Sequence, residues 1–383
     1  MGTRFLIGQL ACYGDCLYVT TVARQIKADH PDSHITWAIA TRYKSILNFN
    51  PHVDEVWDVD IQNNDFYYDG WHKFEAEANR RLQAGIYDKV FYTQISPHWR
   101  YFDGTIRSSE LRGYNRPITV PIDPVVVLSD EEVDRVTHFA ADNQLNMYRE
   151  VILFECAPGS GQSFVNVNMA ISVAEKVLTE CKDVCFILSS PTPLNHPHPQ
   201  ILDASSLTYR DNAELTKHCT LLIGCSSGIT WLATSTWAKK LNTLQLLSRG
   251  SDYFAGVKYD LQQWGQPTNH IIEVTKKSID YVTGCVLSIL NQGFSKAKQQ
   301  YDEVYQPGYH NFRAMIKNAI WDNNANNKGN VRPMISAYAK NNPHLKAARL
   351  TAIAAVQVLR FYRIKNVDGV MQLARQVYRK LFK

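Results

Sequence analysis

Short apolar runs alternate with amphipathic stretches over the first 94 residues. Residues 3–10 read as a strand, 15–29 as a helix, 33–40 as a strand, 41–48 as a helix and 53–59 as a strand. A helix over 74–84 and a strand over 87–94 continue the rhythm. Strands separated by helices form parallel sheets, because each helix must carry the chain back to the same edge before the next strand starts. An aperiodic stretch follows over 96–124, carrying His98, Trp99, Arg100, Asp103 and Arg107. It reads as a loop region on the acceptor side of a cleft.

The rhythm restarts after Ser129-Asp130-Glu131-Glu132, an N-cap with an acidic first turn that complements the helix dipole. Strands are expected over 150–156, 184–189 and 221–225, and helices over 167–180, 213–218 and 228–235. Asp211-Asn212-Ala213-Glu214 has the form of a capping box. Helices near 279–292 and 311–321 come next, followed by an Asn-rich linker over 322–330. The expected organisation is a first Rossmann-like domain over 1–128, a second over 129–275, helices and linker over 276–330, and a basic helical tail over 331–383.

Composition narrows the class. The chain has 383 residues, enough for two domains and a cleft between them. No apolar run reaches about 18 residues and no signal-peptide pattern opens the sequence, so a cytoplasmic protein is expected. The eight cysteines include no Cys-x-x-Cys pair and read as reduced, partly buried thiols. The net charge of +5 is uneven: residues 340–383 hold ten Lys/Arg against Asp368, or +9, leaving −4 on the rest. Such a tail points to a surface partner and not to a nucleic-acid groove. Val370, Leu373, Ala374, Val377, Tyr378 and Leu381 form an apolar stripe at helical spacing. That stripe either lies on an anionic membrane face or packs back on the protein.

Three turns carry candidate chemistry. In open α/β sheets ligands bind beyond the carboxyl ends of the strands. Tyr13-Gly14-Asp15 follows the first strand, and Asp15 either caps the helix or, held ionised by its dipole, acts as a general base. Gly159, Ser160, Gly161, Gln162 and Ser163 follow a buried strand and are either a structural turn or a backbone cradle for phosphate. Ser226, Ser227, Gly228 and Thr230 follow another buried strand, and the two turns would converge on one crevice. Arg210 would neutralise phosphates or make a surface ion pair. Tyr13, Gly14, His98 and Arg100 are expected on the acceptor side. Asp58-Val59-Asp60 reads as a strand ending and not as a metal motif, and His196-Pro197-His198-Pro199 as a surface loop.

Tyr13-Gly14-Asp15-Cys16, the stretches at 30–37 and 50–56, and Leu221 to Leu232 together resemble the heptosyltransferase family of GT-B glycosyltransferases, a likeness covering roughly residues 4–60 and 150–245. The resemblance implies a GT-B fold and metal-independent, inverting transfer from a nucleotide-sugar donor to a glycan or lipid-linked glycan. It also implies a catalytic Asp at Asp15 and no cofactor. The sequence departs from the family at the donor turn. Ser226 stands for its Asp, Trp231 for its His, and Phe164-Val165-Asn166 for the basic residue after the Gly-rich loop. Two other readings stay open: a catalytically silent nucleotide- or glycan-binding module, and a nucleotide-sugar epimerase of similar fold.

Overall fold

A computed structural model describes residues 2–61, 69–96, 98–99, 102–248, 256–303, 306–321, 330–361 and 378. The first domain is a parallel sheet of β1 (Arg4–Gly8), β2 (His34–Ala40), β3 (Glu55–Val59) and β4 (Lys89–Tyr92), in the order β3-β2-β1-β4. Helices α1 (Tyr13–Asp29) and α2 (Asp69–Gln83) connect its strands. β1 is central and wholly apolar inside, with Phe5, Leu6 and Ile7 fully buried between α1 and α2. Residues 41–47 form 3-10 turns and not the α-helix expected there.

The second domain holds β5 (Glu150–Glu155), β6 (Val184–Ser189), β7 (Ile201–Asp203), β8 (Leu221–Gly224), β9 (Asn242–Leu246) and β10 (Ile271–Val274). All ladders are parallel, in the order β10-β9-β8-β5-β6-β7. With β5 counted as the first strand, this is the doubly wound order 3-2-1-4-5-6, whose direction reverses between β5 and β8. In the first domain the reversal falls between β1 and β4. Ligand crevices belong at these two points, at the carboxyl ends of the strands.

β9 and β10 are absent from the sequence reading because a polar residue interrupts each run. Gln245 and Glu273 are nonetheless buried and paired: Gln245 accepts the Ser226 N–H at 3.0 Å and Glu273 the Lys258 N–H at 2.9 Å. α4 (Asp130–Asp142) opens with the reciprocal box between Ser129 and Glu132. The box expected at Asp211 does not form. α6 (Asp211–Leu215) starts there, but the Asp211 carboxylate accepts the Thr208 N–H and a two-pronged Arg135 contact at 2.7 and 2.9 Å.

α5 (Val167–Glu180) packs against α9 (Ile279–Gln292), and α10 (Phe294–Tyr301) shares their apolar cluster, so α9 and α10 complete the second domain. The last described helices are α11 (Tyr309–Trp321), α12 (Val331–Asn341) and α13 (Ala347–Phe361). Phe312, Ile316, Met334, Tyr338, Leu350 and Ala354 form their common core, with Ile95, Trp99 and Phe102 from the first domain. The extension thus returns to the first domain, and most of the tail stripe at 370–381 lies outside the described residues. Among the described residues no helix is long and apolar enough to cross a membrane.

One apolar cluster spans the two domains. Trp231 and Leu232 of α7 (Gly228–Leu232), together with Val257 and Leu261 of α8 (Val257–Gln263), join the cluster built on β1 and α1.

Candidate active site

The chain leaves β1 through Cys12, whose φ of 68° turns it sharply into α1 and presents Tyr13, Gly14 and Asp15 to the second domain. Tyr13 packs on Tyr209 with ring centroids 4.2 Å apart and planes tilted by 30°, and meets Tyr43 edge-on at 4.9 Å. The Tyr209 hydroxyl donates to the Gly228 carbonyl at 2.8 Å. Gly228 has no room for a side chain, since a Cβ there would stand 2.9 Å from the Tyr209 ring and 3.4 Å from Tyr13 Cβ. The turn after β1 and the turn after β8 are therefore brought together, as two convergent crevices require.

Asp15 sits in the first turn of α1. It is partly accessible, yet burial of its carboxyl pushes the pKa up to about 7. Its hydrogen bonds with Glu110 and with its own backbone N–H act in the opposite direction. Glu110, on α3 (Arg107–Leu111), is fully buried, and burial together with the neighbouring Asp15 charge raises its pKa well above the carboxylate range. Two adjacent carboxyls in a poorly solvated place cannot both ionise readily, so one stays an acid while the other becomes the base. Asp15, the more accessible of the two, is the one fit to exchange a proton with a bound hydroxyl.

Below this pair lies a buried ion pair between the domains. Arg107 Nε stands 2.9 Å from Asp260 of α8, and both side chains are almost wholly buried. The guanidinium also lies over the rings of Tyr18 at 4.8 Å and Trp231 at 5.2 Å. Trp231 is thus part of the joint between domains.

The turn after β8 is wrapped around Glu155 at the carboxyl end of β5. One Glu155 oxygen accepts the Cys225 N–H at 2.8 Å and the Thr230 hydroxyl at 2.6 Å, and the other accepts the Ile229 N–H at 3.0 Å. Of the hydroxyls expected to face phosphate here, that of Thr230 already holds a carboxylate. Ser226, in left-handed backbone at φ 51°, donates its hydroxyl to Gln162 at 3.2 Å. Ser226 and Thr230 are both buried, whereas Ser227 and Gly228 are partly accessible.

On the other turn, Gly159, Ser160 and Gly161 are exposed, and Gly161 takes a φ of +69°. Gln162 and Ser163 tie the loop down: the Gln162 carbonyl accepts the Ser248 N–H at 2.8 Å, and the Ser163 hydroxyl donates to the Leu246 carbonyl at 2.5 Å. Arg210 is buried and its partners lie outside both turns. Its guanidinium pairs with Glu132 at 2.6 Å and donates to the carbonyls of Ser45, Asn48 and Val127, so it fastens the domain junction and does not face a phosphate.

His98 lies at the outer edge of β4, where its Nε2 is 3.1 Å from Glu75 and 3.3 Å from the Trp71 indole nitrogen. His98 and Glu75 border a cavity of about 220 Å³ that Thr93, Gln94, Ser109, Asn115 and Asn330 also line. Arg100 lies outside the described residues. Asp58 accepts Thr41 and Lys44 at the end of β3, and His196 pairs with Glu175.

Glu110 and Glu155 were missed by motif reading. Glu110 stands in the aperiodic stretch and carries no local signal. Glu155 does carry one: a lone carboxylate closing the apolar run from Val151 to Phe154.

No family model matches the chain, and no curated protein matches it in sequence. Solved structures do match in fold. A family 9 glycosyl transferase from Veillonella parvula covers 78% of this chain and 94% of its own at 14% identity and a TM-score of 0.51. The ADP-heptose lipopolysaccharide heptosyltransferase II of Escherichia coli covers 76% and 99% at 13% identity, also with a TM-score of 0.51. With two doubly wound domains meeting at the carboxyl ends of their sheets and a helical extension behind, the chain has the GT-B fold.

Proposed function

We propose that the chain is a glycosyltransferase that moves a sugar from a nucleotide-sugar donor to a hydroxyl of a glycan or lipid-linked glycan. Asp15 acts as general base, the configuration inverts, and no metal takes part. The observation that carries this reading is the Asp15 carboxyl, partly accessible where the two domains meet and backed by a buried acid. The fold shared with an enzyme named for ADP-heptose supports a nucleotide-sugar donor.

In the reaction, the acceptor O–H gives its proton to Asp15 while the acceptor oxygen bonds to C1 of the donor sugar. The C1–O bond to phosphate breaks on the opposite face, and the diphosphate leaves with the electron pair. Attack from the face opposite the leaving group inverts C1. A positioned base contributes about 10²–10⁴-fold to such a step. Because Glu155 occupies the inner donors of the β8 turn, we assign the departing phosphates to the exposed backbone of Gly159, Ser160 and Gly161 and to Ser227.

The test is a thermal-shift panel of UDP, ADP, GDP and CMP on the native chain and Asp15→Asn, followed by a transfer assay with the stabilising nucleotide's sugars. One nucleotide should stabilise both proteins equally, and only the native chain should transfer. Turnover by Asp15→Asn would remove Asp15 from the mechanism. The same Glu155 contacts favour a second reading, a silent GT-B module, and stabilisation by no nucleotide would establish that one instead.

We further propose action at the inner face of a membrane. Lys340, Lys346, Arg349 and Arg360 are exposed on α12, the turn after it and α13. Co-sedimentation with vesicles containing phosphatidylglycerol should fall when Arg375, Arg379 and Lys380 are changed to Glu. Unchanged binding would remove the tail from this role.

A further inference from the structure

The Asp15–Glu110 contact carries a more specific assignment, which rests on the reading of Asp15 as base. Glu110 is fully buried, and neither of its carboxyl oxygens meets a donor among the described residues. Its hydrogen-bonded neighbour is Asp15, itself an acceptor when ionised. A buried carboxylate without donors is costly, and the state that satisfies both groups is Glu110 as the acid with its own O–H directed at Asp15.

The surroundings favour that state. Cys12, Cys16 and Tyr18 face the pair from α1 and its leading turn, Asp260 from α8 and Tyr209 from the second domain. Each is neutral or anionic. The cation on Glu110's own helix, Arg107, is committed to Asp260 and to the rings of Tyr18 and Trp231. Of the two residues bordering Asp260's surroundings, Asp103 and Arg112, the arginine is paired with the aspartate at 2.7 Å.

We propose that Glu110 is a positioning residue that stays a neutral acid and donates one hydrogen bond to the Asp15 carboxylate, fixing its orientation toward the crevice. Glu110 neither touches substrate nor gives up its proton during turnover. The arrangement resembles a shared-proton carboxyl pair, except that its two members differ in burial, so the proton has a preferred owner.

The sign of the effect follows. Burial drives Asp15 toward the protonated form and the Glu110 hydrogen bond opposes it, so losing the donor makes Asp15 harder to ionise. Carboxyl carbon NMR on the full chain, labelled at Asp and Glu side chains, reads this directly, with Asp15→Asn assigning the resonance. Asp15 should titrate near pH 7 in the native chain, and Glu110 should remain uncharged throughout that transition. Glu110→Gln keeps an N–H donor and should leave the Asp15 midpoint within about half a unit, whereas Glu110→Leu should raise it by about one unit or more.

Ionisation of Glu110 near pH 4–5 in the native chain would overturn the assignment, and that measurement needs no variant to fold. An unmoved Asp15 midpoint in Glu110→Leu would overturn it as well. The acid limb of kcat/KM should move with the NMR midpoint, tenfold in rate per unit below it, and Glu110→Gln should restore it. An NMR result as expected with no transfer to any acceptor would defeat the glycosyltransferase reading and leave the Glu110–Asp15 arrangement standing.

Discussion

Gly14 of the first domain lies against the indole of Trp231 in the second, so that a Cβ at Gly14 would stand 3.3 Å from Trp231 Cδ1. One hydrogen in place of a methyl therefore sets how closely the turn after β1 approaches α7. Gly14→Ala requires a shift of a few tenths of an ångström and gains helix propensity, so its stability should change by less than about 1 kcal/mol. Gly14→Leu cannot fit and should cost about 2 kcal/mol or more, with a larger radius of gyration in small-angle scattering. Unchanged scattering and stability in Gly14→Leu would show that the turns are not pressed together in solution.

The raised pKa of Asp15 makes a prediction about stability as well as activity. Its folded pKa, near 7, lies above the unfolded value of about 3.9. The native chain therefore holds a proton that the unfolded chain has lost across that window. Its contribution is full below about pH 4 and disappears as pH rises through 7. Asp15→Asn should remove this loss and be more stable than the native chain at pH 8, by on the order of 2 kcal/mol after allowance for partial exposure, while transfer is abolished. Denaturant titrations of both proteins at pH 5 and pH 8 test it, with the difference expected at the higher pH.

Glu155 holds the β8 turn together. Glu155→Ala strands the Ile229 N–H, takes the acceptor from the Thr230 hydroxyl and leaves the Cys225 N–H only its bond to that hydroxyl, a loss of about 2–4 kcal/mol. Glu155→Gln keeps acceptor oxygen at the centre of the turn and should lose roughly half as much. Equal stability of Glu155→Ala and the native chain by chemical denaturation would contradict the role described.

The pair Arg107–Asp260 should behave as a unit. Arg107→Met leaves Asp260 buried without its cation and should cost about 3–5 kcal/mol. Adding Asp260→Leu should recover most of that cost, since two apolar groups need no partners. The coupling free energy from a double-mutant cycle measures this, and a value near zero would mean that the pair contributes nothing to joining the domains.

The features legible in the chain alone are local and periodic. The apolar runs of β1, β5 and β8 announce buried parallel strands, Ser129 and Glu132 announce a helix start, and Asp15 announces its place at a strand's end, because each depends on residues a few positions apart. Repeating that rhythm twice announces two α/β domains, and it is the resemblance carried by the turns that implies their GT-B arrangement.

Tertiary structure alone decided the rest. Asp15 and Glu110 are 95 positions apart and Glu155 and Thr230 are 75 apart, and no local spacing encodes such partners. Arg210 reads in sequence either as a phosphate contact or as a surface ion pair, and only packing reveals that it is buried among carbonyls and Glu132. β9 and β10 hide behind Gln245 and Glu273, whose burial is affordable only once Ser226 and Lys258 arrive to pair with them. The physical reason is common to all of these: a buried polar group is tolerable only with its partner, and the fold, not the neighbouring sequence, delivers that partner.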